Sequence, residues 1–208
     1  MKSRLFPLAC LAVATSMGTA AFAQTAPPAG GYKMCLESNA HIRERLAAAP
    51  GMPKASRKFA TLVVDDRICE CIKSQEAKAE AQSDPMMRFM SANSVCLAKH
   101  VNDEFPAACP ALYRDLLPVI GYPARSASQI SKLCSCATDV MQHNLTAEAL
   151  LQAQLEQYRY FKALVADRKN HTNKAAAVRP GPGAFQRGMQ GLRTCAISVL
   201  GAPAEAAP

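Results

Sequence analysis

Residues 129–144, QISKLCSCATDVMQHN, carry two cysteines separated by one residue, and residues 67–73, RICECIK, carry the same spacing. Around the later pair, Ile130, Leu133, Cys134, Ala137, Val140 and Met141 recur at helical intervals, which predicts one amphipathic helix ending near Asn144. At about 100° per residue, side chains two positions apart point about 200° apart. Cys134 and Cys136 therefore cannot comfortably bond each other, and each must face a different neighbour.

Working outward, the cysteines beyond the first two dozen residues are Cys35, Cys69, Cys71 and Cys96, then Cys109, Cys134, Cys136 and Cys195. This is the order C, CxC, C written twice. The last member of each set also sits in a matching context, RFMSANSVC at 88–96 and RGMQGLRTC at 187–195, both R-x-M-x5-C. Two matched features in the same order point to an internal duplication.

Turn signals locate the partners. Antiparallel helices pair residues symmetric about their connection, and the midpoint between Cys35 and the first doublet falls in PGMP, residues 50–53. The midpoint between that doublet and Cys96 falls at SDP, where Asp84 can cap a helix starting at Pro85. The midpoint between Cys109 and the second doublet falls on GYP, residues 121–123. Each unit thus reads as three helices whose middle member is bridged to the helix before and the helix after, four bridges in all and none between units. Each bridge closes a loop of tens of residues, worth about 3–4 kcal/mol in the chain-entropy model. The spacing leaves open which member of a doublet takes which partner.

The second unit departs from the pattern, because Cys136 to Cys195 spans 59 residues where Cys71 to Cys96 spans 25. A helix running straight on from Ser126 to Arg168 would carry the chain away from Cys136. A break is therefore expected near His143–Thr146, with Thr146 capping an inserted helix that packs through Leu151, Leu155, Tyr158, Phe161 and Val165. That helix fades into the polar DRKNHTNK. After a loop at RPGPG, residues 179–183, a last helix over about 184–200 is expected to run parallel to the stapled one. The fold class is all-α: a first unit over 34–105, and a second over 106–200 carrying an insertion at about 145–183.

The ends set the compartment. Lys2 and Arg4, an apolar run from Leu5 to about Met17, and Ala21-Phe22-Ala23 read as a signal peptide over residues 1–23. A lipid-anchored reading at Cys10 is weakened by Pro7, which stands where such a motif wants leucine. No later stretch reaches the ~18 apolar residues a membrane helix needs, so the expectation is a soluble protein outside the cytoplasm, periplasmic or secreted. An even cysteine count in an exported chain points to disulfides before free thiols. Abundant alanine and the absence of tryptophan favour closely packed helices. Residues 24–33 and 201–208 read as disordered ends.

Charge is concentrated in the insertion and in the segment after it. Between residues 159 and 193, Arg159, Lys162, Arg168, Lys169, Lys174, Arg179, Arg187 and Arg193 face Asp167 alone among the acidic residues, a net +7. They are read as a basic contact face suited to an acidic protein or envelope component, such as lipid headgroups, lipopolysaccharide or an acidic polymer; nucleic acid is not expected as a partner.

Chemistry is hard to place. No nucleophile elbow, HExxH, P-loop or dinucleotide-binding glycine pattern occurs. Doublets in mid-helix lack the exposed helix N-terminus that activates a redox thiol. Soft-metal binding is the rival reading: Met86, Met87 and Met90 lie close on one helix, Cys96 and His100 are four apart, and Met141 precedes His143 by two, a donor set that suits Cu(I). Against it, methionines at helical spacing usually fill cores, and a bridged cysteine cannot ligate. Asn144-Leu145-Thr146 and Asn170-His171-Thr172 match glycosylation acceptors. The sequence thus reads as an exported, non-catalytic interaction module without a cofactor, in the broad class of inhibitors, toxin-neutralising partners and envelope factors.

Overall fold

The structure is a computed structural model that describes residues 30–49, 54–78, 84–170 and 179–202. Among these the chain forms seven helices and no strand: α1 (Gly31–Ala47), α2 (Lys54–Leu62), α3 (Asp66–Lys78), α4 (Pro85–Val119), α5 (Ala127–Asn144), α6 (Ala147–Asn170) and α7 (Ala184–Leu200). The expected leader, the 50–53 turn, Lys174, Thr172 of the second acceptor motif and residues 203–208 lie outside the described residues.

Four disulfides join consecutive layers: Cys35–Cys69 ties α1 to α3, Cys71–Cys96 ties α3 to α4, Cys109–Cys134 ties α4 to α5, and Cys136–Cys195 ties α5 to α7. Their Cα separations of 5.5–5.8 Å fall in the usual range. The structure thus closes the question of the doublets. In both, the first cysteine turns back to an earlier helix and the second forward to a later one, as the 200° divergence requires. Cys69 and Cys134 are buried, whereas Cys71 and Cys136 are partly covered.

Both Cys96 and Cys109 lie on α4, so the boundary at 105/106 falls inside one continuous helix shared by the two units. Three prolines, Pro106, Pro110 and Pro118, sit inside it. Each removes a backbone donor; Pro106 and Pro118 are exposed and Pro110 is half-buried, so none takes a place in the buried row. The opposite row, Val101, Phe105, Cys109, Leu112 and Tyr113, is at most 2% exposed and keeps the helix in the core. Asp84 caps α4 by accepting the Met86 N–H at 2.9 Å. At the other end Tyr122 N–H reaches Leu117 O (2.8 Å) and Gly121 N–H reaches Pro118 O (3.4 Å), a Schellman closure that Gly121 permits with φ +88°.

Two further details differ from the sequence reading. Helix α1 takes in Gly31–Lys33, assigned above to a disordered end; Tyr32 pins this first turn to α3 through its hydroxyl on Glu70 (2.5 Å) and its ring under Lys73 Nζ (4.9 Å). The α1–α3 hairpin is antiparallel about the expected midpoint, but its connection contains the additional helix α2. Helix α2 packs on the later half of α4, where Lys58 Nζ meets Asp115 at 2.7 Å. Conversely, α6 packs on the earlier half of α4, where Gln154 Nε2 donates to Ser94 Oγ at 3.1 Å. Each unit's extra helix therefore lies on the other unit's share of α4, locking the two together.

The last helix runs antiparallel to α5, not parallel. Cys195 bonds Cys136, Gly191 abuts Val140 and Gly188 abuts Met141, so positions rise along α7 as they fall along α5. The parallel arrangement required the inserted helix to turn back along α5. Instead α6 packs on α4, and the chain re-enters at the C-terminal end of α5. Helix α7 is then fixed by Tyr113, whose buried hydroxyl donates to Leu192 O (3.0 Å), and by Tyr122, whose hydroxyl donates to Gly201 O (2.6 Å).

Candidate functional site

The break before α6 is built locally: Leu145 ends α5, and Thr146 Oγ1 accepts the Ala149 N–H at 3.1 Å. In the first half of α6, Leu150 is buried, Leu151, Leu155 and Tyr158 pack partly covered on the core, and Gln154 is bolted to Ser94, whose own hydroxyl donates to Met90 O (2.8 Å). The second half is different. Phe161 is outside the core cluster, and Val165 is 56% exposed. This corrects the expected packing stripe, which stops at Tyr158 and has Leu150 as its deepest member. Helix α5 runs antiparallel to α4 through Cys109–Cys134, and α6 carries on in the same sense to meet Ser94. Val165 lies eleven residues beyond Gln154, while α4 begins nine residues before Ser94, at Pro85. By this register residues 164–170 of α6 run beyond the first residue of α4.

The basic residues do not form a single face. Arg159, Lys162 and Lys169 are exposed and fall within an arc of about 80° on α6. Arg168 is exposed about 100° from Lys169 in projection. Among the described residues none of these four forms an ion pair. Lys162 Nζ lies 5.0 Å from the Tyr158 ring centroid, and Tyr160 and Phe161 meet edge to face at 6.1 Å. The other cations stand elsewhere. Arg187 and Arg193 project about 120° apart from α7, which packs mainly on α5, and Arg187 donates to Pro182 O at 2.5 Å. Arg179 is exposed in the loop before α7.

A second charged cluster escaped the sequence reading. Where α1, α3 and α4 meet, Arg67 bridges Asp65 (2.8 Å) and Glu104 (2.7 Å), Arg43 pairs with Asp66 (3.0 Å), and the buried Asn39 amide reaches Asp65 O, Asp66 Oδ1 and Cys69 Sγ. The Arg67 hydrogen bonds hold the Asp65 carboxyl down at about 2, and Arg43 holds Asp66 below the usual carboxylate range. Each acid here has a cation, which makes the cluster a clasp rather than an acid–base site. The run Asp65-Asp66-Arg67 just before the first doublet was its only sequence trace.

Three donors of the soft-metal grouping are engaged elsewhere. Cys96 is bonded to Cys71, and the His100 imidazole instead lies 3.8 Å from Asp65. His143 Nδ1 sits 2.7 Å from Asp139 O at the end of α5. Among the described residues no three His, Cys, Asp or Glu side chains are placed to share a metal ion, and no helix is long and apolar enough to cross a membrane. Asn144 of the first glycosylation motif donates its amide to Val140 O (2.8 Å). Comparison of the chain with family models, curated proteins and solved structures finds no match.

Proposed function

We propose that this protein is an exported, non-catalytic interaction module that meets an acidic envelope component through the far half of α6. One observation carries the reading: Arg159, Lys162, Arg168 and Lys169 stand exposed on the far half of α6, with no ion pair among the described residues. Within the body Arg43, Lys58 and Arg67 form ion pairs. Four bridges suit a protein working where thiols are oxidised. A rigid stapled body would hold the basic turns ready at little ordering cost on binding.

The test compares the parent with Arg159→Glu/Lys162→Glu/Lys169→Glu in capture from an envelope extract over a salt series. Exposed charges contribute little to stability, so the variant should keep the parent's thermal midpoint. Capture by the parent should fall as salt rises and be lost in the variant, because the attraction is screened beyond about 8 Å at physiological ionic strength. Equal capture by both proteins would remove the basic turns from any binding role.

A further inference from the structure

The far half of α6 carries apolar side chains as well as charge, and the mixture points to a kind of partner. Starting from Arg159, Tyr160, Leu164, Phe161 and Val165 fall within an arc of about 140°, while the Arg159–Lys162–Lys169 stripe is centred roughly opposite. Val165 is 56% exposed, while Tyr160, Phe161 and Leu164 are half-buried outside the core cluster; apolar surface left wet costs the fold about 25 cal/mol for each Å². A helix with basic residues on one face and aromatic and branched residues on the other suits a water–lipid boundary, lying in its plane.

We propose that the segment from Arg159 to Lys169 docks on an anionic lipid surface, its apolar arc entering the headgroup region and its basic stripe meeting the phosphates. The inference rests on the contact reading above and names the acidic component as lipid. The pairing of exposed cations with the 56% exposed Val165 on one helix favours a lipid boundary over an acidic protein. Arg168 lies within the apolar arc, at the last turn, where its aliphatic stem can stay in the boundary while the guanidinium reaches a phosphate. Tyr158 and Lys162, already stacked at 5.0 Å, stand where the segment leaves the core and would mark the depth limit.

The experiment is flotation of the exported protein, recovered from an oxidising compartment with residues 1–23 removed, with vesicles of phosphatidylcholine alone or mixed with phosphatidylglycerol. The parent should float with the anionic vesicles and stay behind with the neutral ones. Each basic residue brought to an anionic surface is worth about fivefold in partitioning, so Arg159→Glu/Lys162→Glu/Lys169→Glu should lower it at least a hundredfold. Phe161→Ser/Val165→Ser keeps the charge and removes the apolar anchors; it should lower anionic-vesicle binding about tenfold with only a small drop in thermal midpoint, since neither residue joins the core cluster. If the parent fails to float but shows charge-dependent capture of an acidic envelope protein, the lipid inference falls and the contact reading stands. If the serine variant floats as well as the parent, the apolar arc is idle and the proposed docking mode is wrong. If neither flotation nor capture responds to charge reversal, both readings fall.

Discussion

Gly191 of α7 lies so close to Val140 of α5 that a Cβ added to the glycine would stand 2.1 Å from Val140 Cγ1. The contact is four residues from the Cys136–Cys195 bridge and sets how near the two helices approach. Gly191→Ala should destabilise the protein by about 1–3 kcal/mol, the usual cost of overpacking. Adding Val140→Ala should recover part of the loss. Thermal or urea unfolding of the single and double variants measures both; an unchanged midpoint for Gly191→Ala would mean that α7 sits further from α5 than described.

Pro106 lies on the exposed row of α4, and its missing N–H leaves the Asn102 carbonyl without its intrahelical partner. Pro106→Ala should stabilise the protein by about 2 kcal/mol, because proline costs about 3 kcal/mol relative to alanine inside a helix and alanine returns some freedom to the unfolded chain. Denaturant titration decides the sign. A loss of stability would show that the helix needs the proline's own geometry at the junction between units.

Much of this architecture was legible in the sequence because a helix cannot turn both members of a CxC pair the same way. That single constraint, with turns at Asp84-Pro85 and Gly121, yields the order of the bridges' layers. The hidden part depends on longer-range packing. The continuity of α4 was obscured because proline reads as a break, although Val101, Phe105, Cys109 and Leu112 keep an unbroken buried row through it. Helix α2 was missed because the midpoint argument fixes where a hairpin turns and not what its connection contains. The sense of α7 depended on where α6 goes, and nothing local in either segment states that α6 runs along α4. At the contact surface the charges were plain, while the exposure of Val165 emerges only when α6 is set against the start of α4 at Pro85.

The Arg67–Asp65 clasp makes stability depend on acid. The Asp65 carboxyl is held at about 2 in the folded chain against an ordinary value near 3.9. A depressed carboxyl contributes stability above the unfolded value, and the contribution is lost as pH falls from about 4 through 2. The thermal midpoint of the parent should therefore drop more steeply across that window than that of Asp65→Asn, with the two curves converging at the acid end. Because the side chains involved are partly open to solvent, the difference should be modest and should shrink with added salt. Parallel curves from pH 5 to 2 would show that Arg67 does not hold Asp65 in solution.

The central claim is that two units, each closed by its own pair of bridges, share one helix. Peptide mapping without reduction tests it most directly, because Glu70 allows cleavage between Cys69 and Cys71, and fragmentation within the Cys134-Ser135-Cys136 peptide assigns the second doublet. The predicted result is Cys35–Cys69, Cys71–Cys96, Cys109–Cys134 and Cys136–Cys195, with none of these eight thiols free. A bond from any of the first four cysteines to any of the last four, or a doublet paired in the reverse order, would contradict it.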